Sequence, residues 1–257
     1  MTYWKQFGEV ISEYNKYIHG DGVDGSDATE RLQMIQNKFN EYLDSIRNNP
    51  ELYNSAIEYV NERSKQDVVL GLIQQQTQSE LDSIFRNYFG ESRKYKVLPA
   101  SSFSAKTNII GESDLDFNVP IEDFNNKPTD NSALGILLQQ HKYEFKELRT
   151  PNTPDAHYVY VKIVKGECGD VEIEVKLRDL SAYMSLIYKI HDYLDNKADP
   201  NAKMIITYIK ANLKPLSVHY TNFKQLYYEW ANSHIEPAST KMMFLSLIHI
   251  SYINCSN

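Results

Sequence analysis

Two aspartates one residue apart are the first candidates for chemistry in this sequence. Asp114 and Asp116 flank Leu115 and precede Phe117. Because successive side chains of a strand point to opposite faces, both carboxylates would project together while Leu115 and Phe117 point into a core. Two carboxylates at one place are unfavourable without cations, whereas a pair of Mg²⁺ ions would neutralise them and bridge phosphates. An Asp-x-Asp alone is common on protein surfaces, so the spacing by itself only permits such a two-metal site.

A serine-rich turn precedes these aspartates along the chain. Ser101 and Ser102 begin it, and Asp114 follows Ser102 by twelve positions (114 minus 102). A turn of this kind can present backbone N–H groups and the Ser102 hydroxyl to phosphate oxygens, as anion-binding turns do. We expect Ser102 to make the closest such contact.

A third carboxylate is available on a later strand, residues 171–179. Its apolar residues alternate with a charged face formed by Glu172, Glu174, Lys176 and Arg178. A charged strand face taken alone is usually just solvated. Here the strand follows the aspartates after an interval that allows it to lie beside them in the sheet, which favours a third carboxylate in the site. Glu174 is the first choice and Glu172 the second.

The run from Ser101 to Phe117 resembles the signature of the DNA polymerase beta type nucleotidyltransferase superfamily, a Gly-Ser pair followed by Asp-x-Asp on a strand. Its cyclic-oligonucleotide synthase and oligoadenylate synthase branches share further positions, which here are Thr107, Ile109, Gly111 and Ser113. The resemblance implies that Asp114 and Asp116 are catalytic metal ligands. It also implies that Ser101, Ser102 and Thr107 contact the nucleotide.

The segment 174–179 is similar to the Glu-x-Gln-x-Arg-Thr strand of the alarmone synthetases, distant members of the same superfold. This match selects Glu174 as the third catalytic metal ligand, near the attacking hydroxyl and able to take its proton. The sequence departs from the family at Ser101, where Gly is usual, and at Lys106, where a small residue is common. A glutamate at the third position also reaches further than the usual aspartate.

Apolar residues at three- and four-residue spacing predict helices on both sides of these strands. The predicted helices before the strands cover residues 3–19, 27–48, 50–65 and 70–89. Alternating apolar residues predict strands at 94–99, 114–121, 158–165 and 171–179, the last two as a hairpin, with a helix running into a strand over 132–145. After Asp179 we expect helices in 180–194, 201–213 and 219–232.

These elements predict an α+β fold with a small mixed β-sheet, a helical N-terminal region and C-terminal helices, and the resemblance implies that the sheet is a nucleotidyltransferase core. The expected division is a helical N-terminal region at 1–69, a catalytic core at 70–196, a truncated C-terminal helical region at 197–244 and a non-native tail at 245–257. The tail contains Leu245 to Ser251, which reads like a translated sequencing adaptor. On the helix 201–213, related enzymes often place a lysine against the triphosphate, and Lys210 is the candidate, although an exposed lysine is the commoner case.

Composition limits the functional classes. The net charge of −7 argues against an extended basic face for nucleic acid, although a local basic groove fits within it. Cys168 and Cys255 have neither metal-ligand spacing nor a close partner, so we expect neither a zinc site nor a disulfide framework. No stretch is apolar enough to span a membrane, and the N-terminus has no secretory signal. We expect a cytoplasmic protein with no membrane partner, in the host-cell cytoplasm or virion if it is viral.

The expected activity is transfer of a nucleotide from an NTP, with ATP as the favoured substrate and Mg²⁺ or Mn²⁺ as cofactor. The favoured acceptor is an RNA 3′ end, as in a poly(A) polymerase or terminal transferase. One alternative is an oligoadenylate or cyclic-oligonucleotide second-messenger synthase. The other is a catalytically silent nucleotide-binding or interaction module that keeps the fold.

Overall fold

This α+β chain has one open five-stranded mixed sheet, with helices before and after it in the sequence. The structure is a computed structural model that describes residues 2–20, 28–90, 94–100, 102–111, 114–122, 132–151, 156–166, 169–180, 189–190 and 192–235. The chain divides into two compact units. One contains residues 63–191 with the sheet, and the other combines residues 1–62 with 192–257.

Three helices precede the sheet: α1 (Thr2–His19), α2 (Ala28–Arg47) and α3 (Pro50–Phe89). The prediction of separate helices at 50–65 and 70–89 is wrong, because α3 is continuous over 40 residues. Residues 66–69 contain neither Gly nor Pro, and a single interior glycine such as Gly71 costs only about 1 kcal/mol. The start of α3 is well defined, since the Asn49 side chain accepts hydrogen bonds from the Glu51 and Leu52 N–H groups.

The sheet has the order β1-β2-β5-β4-β3. Its strands are β1 (Leu98–Pro99), β2 (Leu115–Ile121), β3 (Glu144–Arg149), β4 (His157–Gly166) and β5 (Gly169–Asp179). Helix α4 (Ala133–Gln140) runs between β2 and β3. Only β2 and β5 pair in parallel; the other neighbours are antiparallel, and β4 and β5 form the predicted hairpin.

The sheet buries one face against α3. On β2 the buried face includes Leu115 and Phe117, and on β5 it includes Ile173 and Val175, all fully covered. These side chains form one cluster with Phe85 and its neighbours on α3. Each such side chain contributes roughly 1.5–3 kcal/mol by leaving water. A shift of one residue in either strand would reverse its faces, so burial fixes the register that the site depends on.

The second unit consists of helices from both ends of the chain. Helix α5 (Pro200–Leu213) and helix α6 (Ser217–Ser233) contact α1 and α2. Phe39 of α2 stacks on Phe223, Tyr227 and Trp230 of α6. The predicted helices at 201–213 and 219–232 are therefore confirmed, but the N- and C-terminal helical regions pack as one unit rather than two.

The unit boundaries differ from the predicted ones at 69/70 and 196/197. The compact units divide after Glu62, within α3, and before Asp192. Most of the predicted helix 180–194 and all of the proposed tail at 245–257 lie outside the described residues. Among the helices that are described, none is long and apolar enough to cross a membrane.

Candidate functional site

The polar face of the sheet brings Asp116 and Glu174 together. They are register partners on the parallel strands β2 and β5, as are Asn118 and Lys176. Neighbouring strands lie about 4.8 Å apart, so directly opposed side chains on one face are close neighbours. The carboxylates that sequence analysis assigned to one site therefore stand side by side, on the face opposite the α3-packed core.

Lys176 joins these two carboxylates. Its Nζ lies 3.1 Å from Asp116 Oδ1 and 3.0 Å from Glu174 Oε1. The lysine side chain is only 18% exposed. One ammonium group thus neutralises charge on both strands at the centre of the site.

Arg149 at the end of β3 makes the second strong contact to Glu174. Its Nη1 and Nη2 donate to the two carboxylate oxygens, each at 2.8 Å, which is the bidentate geometry that guanidinium and carboxylate groups favour. The side chain reaches across β4, where Val159 and Val161 occupy the same face of the sheet. Lys146 adds a weaker contact at 3.7 Å.

These neighbours set the ionisation of Glu174. Burial alone would raise the pKa of its carboxyl group, but the charge of Lys176 and the hydrogen bonds from Arg149 and Lys176 outweigh burial and lower the pKa to about 2. For Arg149, burial acts to lower the pKa, and its bonds to Glu174 and Glu147 raise it overall. Both groups are therefore fully charged at neutral pH.

The metal-binding potential lies with the two aspartates. Asp114 comes immediately before β2 and is exposed, while Asp116 is half-buried on the strand. Mg²⁺ is usually held by one or two carboxylates together with substrate phosphates, so this oxygen-only pair suits one such ion. Glu174 fits less well, because both of its oxygens already accept hydrogen bonds from Arg149. Within the described residues, no three His, Cys, Asp or Glu side chains form a group that could hold a metal ion.

The serine turn leaves the sheet beside Asp116. The Ala100 N–H donates to the Asp116 carbonyl at 2.9 Å, which continues the pairing of β1 with β2. The turn then closes when the Ser102 carbonyl accepts from the Thr107 N–H at 2.8 Å. Lys106 has a φ of +58°, a left-handed conformation that is uncommon for residues other than glycine. The turn that carries Ser102 is thus anchored at the level of the aspartates.

The residues predicted to contact the nucleotide differ in burial and in the unit to which they belong. Ser102 is half-buried in the turn, and Ser101 lies outside the described residues. Thr107 is only 1% exposed, which favours a supporting role in the turn over contact with a phosphate. Lys210 is 4% exposed in α5 and belongs to the helical unit, whereas the carboxylates belong to the sheet unit. Its assignment to the triphosphate stays a prediction.

Helix α3 holds the loop that follows the turn. Arg63 donates to the Lys106 carbonyl at 2.9 Å and forms an ion pair with Asp67 at 3.1 Å. Asp67 also accepts a hydrogen bond from the Asn108 side chain at 2.9 Å. Because Arg63 is 6% exposed, this contact is shielded from water and fixes the loop firmly.

Sequence analysis missed the cations that define this site. Lys176 lies on the charged face that the alternation of 171–179 predicted, so its position was visible although its role was not. Arg149 gave no local signal, because it reaches Glu174 only through the pairing of β3, β4 and β5. Asp67 lies in the gap that was predicted between two helices, and Arg63 lies one helical turn before Asp67.

Comparison with known proteins provides no assignment: neither a protein-family model nor a curated protein matches this chain.

Proposed function

We propose that the sheet unit is a metal-dependent nucleotidyltransferase that moves an NMP group from an NTP, with ATP favoured, to a hydroxyl acceptor, most simply an RNA 3′ end. The observation that carries this proposal is the pairing of Asp116 with Glu174 on adjacent parallel strands, beside the turn of Ser102 and next to exposed Asp114.

Asp114 and Asp116 are the residues that would hold a divalent ion. When bound, Mg²⁺ or Mn²⁺ would supply charge stabilisation for the triphosphate oxygens. The backbone N–H groups and hydroxyl of the Ser102 turn add neutral donors beside them. Lys176, which lies 3.1 Å from Asp116 Oδ1, would add a positive charge that stabilises negative charge on phosphates bound beside Asp116.

The reaction makes one bond and breaks one. The acceptor hydroxyl oxygen attacks the α-phosphorus, the bond from that phosphorus to the oxygen bridging to the β-phosphate breaks, and pyrophosphate leaves. Glu174 was predicted to take the hydroxyl proton, but a carboxylate with a pKa of about 2 is a weak base. Glu174 is therefore not assigned as the general base. Glu174 acts by holding Lys176 and Arg149 in place.

The acceptor decides between the two enzymatic alternatives. The same site would join nucleotides to each other in an oligoadenylate or cyclic-oligonucleotide synthase, since that chemistry also attacks an α-phosphorus with a ribose hydroxyl. A catalytically silent module would keep the sheet and bind without transfer. The carboxylate and cation arrangement supports transfer, because charged groups with perturbed pKa values converging on a half-buried strand face are typical of catalytic sites.

The test uses NTPs labelled at the α-phosphate, with Mg²⁺ or Mn²⁺, in the presence and absence of a short RNA. We expect labelled, lengthened RNA from the intact chain and from Glu122→Gln, an exposed carboxylate just past β2. Asp116→Asn should lose at least a hundredfold in rate. Labelled small oligonucleotides formed without RNA would move the assignment to messenger synthesis. A wild-type chain that forms no product and binds no nucleotide with metal would reject the enzyme.

A further inference from the structure

We propose that Lys176 permanently occupies the place of one of the two divalent ions in the predicted two-metal site, so that the chain binds a single divalent ion, at Asp114 and Asp116. This inference rests on the proposed function and specifies how its site is charged. It differs from the expectation of sequence analysis, in which Glu174 completed a two-metal centre.

The Lys176 ammonium group lies where a cation that bridges the two strands would bind. A cation that bridges β2 and β5 must contact the carboxylates of Asp116 and Glu174, and the Lys176 ammonium does so at 3.1 and 3.0 Å. A Mg²⁺ ion in that place would need oxygen ligands at about 2.1 Å. It could reach those oxygens only by displacing the ammonium group.

The charges of the side chains around Lys176 also disfavour a second divalent ion. Asp116 and Glu174 carry two negative charges; Lys176 contacts both of them, Arg149 contacts Glu174, and Lys146 lies 3.7 Å from Glu174. Cations of the chain therefore already compensate these two carboxylates before any metal arrives. A second divalent ion between these side chains would face two fixed cations without a matching excess of carboxylate. Asp114, exposed at the start of β2, supplies the negative charge that makes one ion favourable beside Asp116.

The strand and its neighbours hold Lys176 in this position. Lys176 lies in the middle of β5 between Val175 and Leu177, both fully buried, and its backbone pairs with β2 and β4. The bidentate contact from Arg149 holds Glu174, which in turn holds the ammonium group. A lysine ammonium is a compact charge with three donors, so it can serve three oxygens at once. It can therefore contact a substrate oxygen while it keeps both carboxylates.

The test counts Mn²⁺ bound to the full chain and records the electron paramagnetic resonance spectrum of the bound ion. We expect one Mn²⁺ per wild-type chain with the spectrum of an isolated ion. Asp116→Asn should weaken that binding at least tenfold. Lys176→Met, of similar length without the charge, should bind a second ion close enough to give a spin-coupled spectrum, since paired metals lie about 3.5–4 Å apart. Lys176→Arg keeps the charge and should still bind one ion.

Three results would overturn the assignment: two coupled ions in the wild type, no bound ion in the wild type, or one ion in a folded Lys176→Met. Circular dichroism and thermal melting establish whether Lys176→Met folds. If it does not fold, the wild-type count still decides, because one isolated ion supports the inference and two coupled ions refute it. The label-transfer assay separates this question from the proposed function. An active chain with two ions loses only the role of Lys176, and an inactive chain with one ion loses only the reaction.

Discussion

Glu174 is ionised because of its neighbours and in spite of its burial. Its side chain is 10% exposed, and an isolated carboxylate so placed would favour its neutral form. Arg149 and Lys176 reverse that preference. Removing one partner from such a group leaves an uncompensated buried charge, which is usually more costly than the intact group is stabilising. Glu174 therefore has a structural effect that can be measured apart from any reaction.

The first prediction concerns acid stability of the metal-free chain. A carboxylate whose folded pKa is lowered stabilises the fold above its unfolded pKa, and that stabilisation is lost as pH falls through the folded value. For Glu174 the window runs from about pH 4.5 down to about pH 2, and the contribution is at most about 3 kcal/mol. Glu174→Gln should lower the free energy of unfolding at pH 6 and flatten its decline towards pH 2 in urea denaturation.

The matched control for that experiment is Glu172→Gln. Glu172 lies on the same face of β5, is 39% exposed and forms an ion pair with Lys146 at 3.2 Å. A surface pair of this kind contributes at most about 1 kcal/mol. Equal effects of the two substitutions would contradict the ionic role given to Glu174.

The second prediction concerns Asp195 in the helical unit. Burial raises the pKa of its carboxyl group, Lys203 opposes this, and Asp192 adds to it, giving a pKa of about 6. Because the folded pKa is raised, the neutral form stabilises the fold fully below the ordinary pKa of 3.8. That stabilisation is lost as pH rises through about 6. Asp195→Asn should therefore raise the free energy of unfolding at pH 8, by about 1 kcal/mol once partial solvation is allowed for, and have little effect at pH 4. Thermal melting at both pH values checks this, and a stabilisation independent of pH would contradict it.

Single residues differ in how far the sequence could predict them. Asp116 and Glu174 were chosen from strand alternation and resemblance, and the register places them opposite each other. Lys176 was on the predicted face, yet its bridging contact depends on which strand lies beside β5. Arg149 depends on two further strand pairings, and neither residue type nor spacing encodes those pairings locally.

Among the elements, the strands were predicted best because one buried and one polar face produce a period of two. The apolar positions of β2 and β5 are buried as their alternation predicts, although Asn118, Glu174 and Arg178 on the polar face are buried as well. The break predicted in α3 falls at 66–69, where Gln66 and Asp67 are polar and Val68 and Val69 are exposed. That stretch includes Asp67, which contacts the loop 102–111 rather than the core. The hydrogen bond between Asp67 and Asn108 stabilises the helix at these positions, and apolar periodicity does not detect such a contact.

The third prediction tests that contact at the level of the loop. Arg63→Ala removes the bond to the Lys106 carbonyl and the ion pair with Asp67, so it should lower the free energy of unfolding by about 1–3 kcal/mol. Amide hydrogen exchange should rise in residues 102–111 and remain slow in β5. Lys65→Ala, on an exposed position of the same helix, is the control. Unchanged exchange in 102–111 would show that α3 does not hold the loop.

For the whole molecule, the sequence predicted the class of fold but not how its ends combine. The helices on both sides of the sheet have apolar faces, which periodicity detects. That Phe39 packs on Phe223 and Trp230 is a pairing between distant segments, which periodicity cannot detect. The α+β architecture with one mixed sheet was predictable, while the union of N- and C-terminal helices in one unit was not.

The central claim is that the sheet unit transfers a nucleotide, and the fate of the phosphates tests it most directly. The intact chain is incubated with ATP labelled at either the α- or the γ-phosphate, with Mn²⁺ or Mg²⁺ and a short RNA. The account predicts α-label in an oligonucleotide product, γ-label only in pyrophosphate, and loss of both in Asp116→Asn while Glu122→Gln keeps them. Label released as inorganic phosphate, or product that persists in Asp116→Asn, would contradict nucleotidyl transfer at this site.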